Sequence, residues 1–138
     1  MALDDGRVQA DFLADVVRGR NVRMMSAGAA TRTYTYVADA VEGLFFAHLQ
    51  GEEQVYNVAD PAGNISIREL AETFAAARPE KKLELDFVNP EDGRSFSPVA
   101  SLGLDSSKLS GLGWDAGTSL TDGVSRTVRT FEDGPLID

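Results

Sequence analysis

Apolar side chains at Val8, Phe12, Val16 and Val17 recur at the spacing of one helix face, and Gly19 follows where a left-handed residue ends a helix. The first element is therefore predicted to be a helix. Residues 22–25 then form a short, mostly apolar run predicted as a strand, and the small residues 26–30 predict a turn or a close backbone approach. Residues 32–37 are rich in aromatic and β-branched side chains and read as strand or extended chain. They lead into Val37, Val41, Leu44 and Leu49, the apolar stripe of a second helix closed by Gly51.

Residues 54–58 predict another short strand, followed by turn residues from Asp60 to Gly63. Ser66 with Glu69 three positions later predicts a capping box, after which Ile67, Leu70, Ala71 and Phe74 share one face until Arg78 and Pro79 stop the helix. Residues 83–87 alternate apolar and polar side chains, as a half-buried strand does. Residues 89–102, with two prolines, read as an irregular loop. A short helix is expected around Asp105 to Leu109, and a last helix carries Leu120, Val124, Val128 and Phe131 behind a box of Ser119 and Asp122. Alternating helices and strands place the chain in the α/β or α+β class. At 138 residues it is expected to form a single domain over 1–138, with a flexible tail over 133–138.

Composition narrows the function. A net charge of −9 argues against a nucleic-acid partner, which needs clustered Lys and Arg to displace counterions. It does not exclude a small anion, because a few arginines in one cleft set the local field. No apolar run approaches a membrane span, and the first residues carry no secretory pattern. With no cysteine, thiolate nucleophiles and Cys-based zinc sites are excluded and a cytoplasmic setting fits.

The chemistry that would make the chain a complete redox enzyme is missing. Its one glycine-rich stretch, Gly111 to Gly117, follows an expected helix, whereas a dinucleotide-binding turn follows a strand. Tyr34, Tyr36 and Tyr56 have Ala38, Ala40 and Asp60 four residues on, so none forms the Tyr-x-x-x-Lys pair in which lysine lowers the phenol's pKa. His48 has no second ligand at metal spacing and reads as an ordinary helix residue, and Ser26 and Ser66 read as loop and cap.

Several segments, in order, resemble the C-terminal part of the extended short-chain dehydrogenase/reductases, the NAD-dependent nucleotide-sugar epimerases, dehydratases and glucuronate decarboxylases. They are Asp5 to Val8, the run Met24 to Ala40 with its Thr-Arg-Thr-Tyr-x-Tyr-Val-x-Asp core, Val55 to Val58, Ile65 to Leu70, Arg94, and Leu112 to Trp114. Together they span nearly the whole chain. The resemblance implies the C-terminal part of a Rossmann-type fold lacking its NAD-binding half, beginning just after the Tyr-Gly-Pro segment of full-length members. It implies isomerase or lyase chemistry on a UDP- or dTDP-sugar, with no cofactor bound by this chain alone and NAD held by the other half.

The resemblance further implies that Arg32 and Arg94 contact the ligand's diphosphate, with Arg7 and Asn57 as lesser candidates. A guanidinium suits that task because its planar fork of donors matches phosphate oxygens. Met25 and Ala30 depart from the family pattern, standing where many relatives carry an aromatic residue and several carry Gln. Trp114 is expected to pack rather than to carry a ligand. In the parent fold, residues 32–49 and 55–58 would pack against the Rossmann half, so their apolar faces are expected to be orphaned here. That motivates the alternative of a stand-alone interaction or dimerisation module, pairing as a homo-oligomer or with the Rossmann half.

Overall fold

The computed structural model describes residues 3, 5–52, 55–88 and 100–134. Helix α1 (Val8–Val17) starts after Arg7, whose extended backbone lets its carbonyl accept from the amides of Ala10 and Asp11. The expected helix face is buried, with Phe12, Leu13 and Val16 at its centre, and Gly19 ends the turn at φ +67. Strand β1 (Val22–Met24) follows and alternates buried, exposed, buried. Asp15 ties helix to strand: its carboxylate, 1% exposed, receives Arg20 and both the guanidinium and the backbone amide of Arg23.

Among the described residues, five strands form two small sheets. β1 pairs in parallel with β4 (Leu85–Phe87), Val22 opposite Leu85. In the second sheet, β2 (Thr31–Thr33) is central. It pairs antiparallel to β3 (Asn64–Ser66), with Arg32 opposite Ile65, and parallel to β5 (Ser101–Leu102), with Arg32 opposite Leu102. Part of the segment read as loop thus becomes an edge strand; the rest, residues 89–99, lies outside the described residues.

Helix α3 (Ile67–Ala76) opens on the expected box: the Ser66 hydroxyl accepts from the Glu69 amide, and the Glu69 carboxylate accepts from the Ser66 amide at 2.8 Å. Those bonds, the backbone one foremost, hold the Glu69 carboxyl below its ordinary pKa. Pro79 then begins a 3-10 turn that cannot continue the helix. The short helix α4 (Ser107–Gly111) begins two residues later than expected, with the Asp105 side chain accepting from the Ser107 amide. Helix α5 (Leu120–Asp133) starts at Ser119, which accepts from the Asp122 amide. Asp133, expected to open the tail, closes this helix, and residues 135–138 lie outside the described ones.

The core sits where α1, α3, α5 and β1 meet: Phe12, Leu13, Val16, Val22, Met24, Leu70, Phe74, Val124 and Val128 form one cluster. One expectation fails. Residues 55–58 form no strand; alternation makes a ladder only where a neighbour offers one, and none of the described strands pairs with them. The stripe of helix α2 (Val37–Gln50) does not meet the core. Val37, Leu44, Phe45 and Leu49 are 61–72% exposed, and the buried side is the one carrying Asp39 and Gly43.

The reason is local. Asp39 accepts from the amide and hydroxyl of Thr118, and Gly43 lets Val58 and the Trp114 ring approach where a Cβ would lie 2.5 and 2.8 Å from them. α2 therefore docks through its small and polar side, leaving its apolar side outward, as the resemblance implied. Trp114 is 3% exposed and packs, as expected.

Candidate functional site

Two clefts open beside β2. One, of about 570 Å³, lies between the start of α1, β1, the 24–30 turn and β2, and both Arg7 and Arg32 line it. The other, of about 630 Å³, runs from Tyr34 and Tyr36 across to α5, and shares Arg7 and Tyr34 with the first.

Arg32 is half-buried at the centre of the three-stranded sheet, and one terminal nitrogen donates to the Thr31 carbonyl at 2.6 Å. Flanking strands on both sides fix the backbone from which it projects. Burial pushes the neighbouring Tyr34 phenol above its ordinary pKa, with the Arg32 charge acting in the opposite direction. Tyr34 thus stays a neutral hydroxyl at neutral pH. Arg7 sits at the α1 N-terminus, where unsatisfied amides and the helix dipole add positive potential. Its guanidinium grips Asp5 through two nitrogens, at 3.0 and 2.5 Å, which lowers the Asp5 pKa and raises that of Arg7, so the pair is ionised at neutral pH.

The glycine at position 28 gives the cleft its wall. It adopts φ +72, and its carbonyl accepts from the Arg68 amide; a Cβ there would lie 2.9 Å from that same nitrogen. The small-residue run 26–30 is thus a close backbone approach, as its composition predicted. Met25 and Ala30, the two departures from the family pattern, both line this cleft.

The structure brings together two of the four sequence candidates. Asn57 does not line the cleft: its amide donates to the Asp105 carbonyl at 2.8 Å, joining the 55–58 segment to the approach to α4. Arg94 lies outside the described residues. A residue that sequence reasoning passed over, Arg23, lines the cleft from β1. Its signal was the single charge between apolar neighbours in a strand of period two, which must face away from the core.

His48 is exposed on α2, and among the described residues no three His, Asp or Glu side chains gather as metal ligands. The glycine-rich stretch does not form a dinucleotide turn. It follows α4 rather than a strand, and Gly113 at φ +101 turns the chain into Trp114, which is buried against α2. No helix among the described residues is long and apolar enough to cross a membrane.

Comparison with known proteins gives this geometry a context. Residues 2–59 match the model of the NAD dependent epimerase/dehydratase family. UDP-glucuronic acid decarboxylase 6 of Arabidopsis thaliana is 32% identical over 132 residues, 95% of this chain and 37% of that protein. The solved UDP-glucose 4-epimerase of Thermotoga maritima, with UDP-glucose, is 27% identical, with a TM-score of 0.72 over 92% of this chain and 40% of its own. The enzyme WbmF of Bordetella bronchiseptica, in complex with NAD+ and UDP, is 25% identical, with a TM-score of 0.69 over 92% of this chain and 36% of its own. The chain spans little more than a third of the length of these relatives. By sequence over nearly all of its length, and by the α/β arrangement of its helices and strands, the chain is similar to members of the NAD dependent epimerase/dehydratase family, whose model its residues 2–59 match.

Proposed function

We propose that this chain is the substrate-binding portion of an NAD-dependent nucleotide-sugar epimerase or decarboxylase, with Arg32 and Arg7 directed at the diphosphate of a UDP- or dTDP-sugar. The observation that carries this reading is the convergence of Arg32 and Arg7 on one cleft beside a helix N-terminus. UDP-glucose and UDP accompany the two solved relatives, and a UDP-sugar decarboxylase is among the similar sequences. In this reading Arg94 joins Arg32 at the diphosphate, as the resemblance implies, NAD is held by a Rossmann half that these residues do not form, and the chain alone turns over no substrate.

The test is a thermal melt with and without millimolar UDP-glucuronate. At a ligand concentration about 100 times Kd the native state gains roughly 2.7 kcal/mol, enough to raise the melting temperature by several degrees. Arg32→Ala is expected to abolish the shift. A shift of equal size in the variant, or none in the unmodified chain, would overturn the reading.

A second reading rests on α2, whose exposed Val37, Val41, Leu44, Phe45 and Leu49 form an apolar face of the kind that finds a partner. In it, the chain works as an interaction module that pairs through this face, with another copy or with the Rossmann half. Sedimentation of the unmodified chain is expected to show association that Leu44→Glu combined with Phe45→Glu removes; a monodisperse monomer would count against it.

A further inference from the structure

The residue between the two buried positions of β1 has no assigned role. We infer that Arg23 is a third cation of the cleft and binds an oxygen of the nucleoside diphosphate, an inference that rests on the cleft being a sugar-nucleotide site. Val22 and Met24 point into the core, so the pleat turns Arg23 outward, and it lines the same cleft as Arg7 and Arg32 with its side chain 56% exposed.

What distinguishes it from a solvated surface arginine is its support. The Asp15 carboxylate is buried, and its Oδ2 accepts from both the Arg23 backbone amide and Nε at 3.2 Å. The other oxygen is occupied by Arg20, through Nε at 3.2 Å and Nη2 at 2.7 Å. One end of the Arg23 fork is thus anchored to α1, while the terminal nitrogens make no bond among the described residues. A guanidinium held this way loses less rotamer freedom when it meets an anion.

Charge balance gives the arrangement its consequence. Arg7 is matched by Asp5, and Asp11 also lines the cleft, so against Arg7 and Arg32 alone the local field would be near neutral. The single carboxylate of Asp15 is shared between Arg20 and Arg23, so it offsets the Arg23 charge at the cleft wall only in part. Asp86, opposite Arg23 in register on β4, neither lines the cleft nor pairs with it. In a chain of net charge −9, the remaining positive charge makes the cleft attractive to a diphosphate.

Calorimetric titration of the full chain with UDP at low salt tests the inference, using Arg23→Ala, Arg23→Gln, Arg32→Ala and, as a charge control on exposed α5, Arg129→Ala. Both Arg23 variants are expected to weaken UDP about tenfold and to flatten its salt dependence, leaving uridine binding and the control unchanged. Gln can still donate to Asp15, so it decides the matter if the alanine variant does not fold. UDP bound equally well by Arg23→Gln, while Arg32→Ala loses it, would overturn the role of Arg23 and leave the cleft reading standing. Equal losses in Arg23→Gln and Arg129→Ala would also overturn it, as a general charge effect. Absence of UDP binding by the unmodified chain would overturn both.

Discussion

Truncation of Phe12 to alanine is expected to cost about 3–5 kcal/mol, the range for removing a buried aromatic ring without refilling its space. Phe12 is 2% exposed and meets Phe74 of α3 edge to face, ring centroids 6.2 Å apart and planes at 64°. Such a pair adds roughly 0.5–1.5 kcal/mol beyond area burial. Domains of this size carry only about 5–15 kcal/mol of net stability, so one truncation removes a large share of it. The ring also borders the cleft, and α1 positions both Arg7 at its start and Asp15 near its end. Urea unfolding followed by circular dichroism measures the loss, and Phe12→Leu, which keeps most of the volume, is expected to lose much less. A cost below about 1 kcal/mol for the alanine variant would show that α1 does not pack against α3 as described.

The sequence made these elements legible to different degrees. α1 and α3 could be read because their signals are local: an apolar face closed by Gly19, and a Ser66–Glu69 box whose two bonds need only three residues. α2 could be read as a helix, but periodicity reports that a face is apolar and not what covers it. The bonds from Asp39 to Thr118, 79 positions away, and the approach of Trp114 to Gly43 show which side turns inward. β5 and the missing strand at 55–58 are the same lesson in two directions, since a ladder is decided by a neighbour distant in sequence.

The candidate site divides likewise. Arg32 stood out through its motif, and Arg7 through its place before the first helix, but their sharing of a cleft depends on β2 lying beside the α1 N-terminus. Asn57 has the right chemistry for a ligand yet its amide is taken up by Asp105, a contact 48 positions away. Arg23 was passed over because its partner, Asp15, sits on a different element, so the lone charge in β1 did not by itself mark a site.

The connection that aims Arg32 runs through a glycine. Gly63→Ala is expected to cost about 3 kcal/mol, at the upper end for overpacking, and to weaken UDP binding with it. A Cβ at position 63 would lie 1.9 Å from the Tyr34 carbonyl oxygen and 3.0 Å from its carbon. The obstacle is backbone, so no rotamer change relieves it. The Gly63 carbonyl accepts from the Tyr34 amide at 3.0 Å, and its own amide donates to Asp60, whose side chain caps the turn. Relief must therefore shift this turn against β2, where Thr33 faces Asn64 and Arg32 faces Ile65. Gly111→Ala is the matched control, because nothing beyond its chain neighbours and its own helix backbone lies within 4 Å of its Cβ position; it is expected to change stability by less than about 0.5 kcal/mol. Equilibrium unfolding of the two variants reads the first part, and UDP titration at a temperature where Gly63→Ala is folded reads the second. If Gly63→Ala is as stable as Gly111→Ala, the close approach is wrong. If it is destabilised but binds UDP unchanged, Arg32 takes its aim from β5 and the Thr31 carbonyl rather than from the β3 side of the sheet.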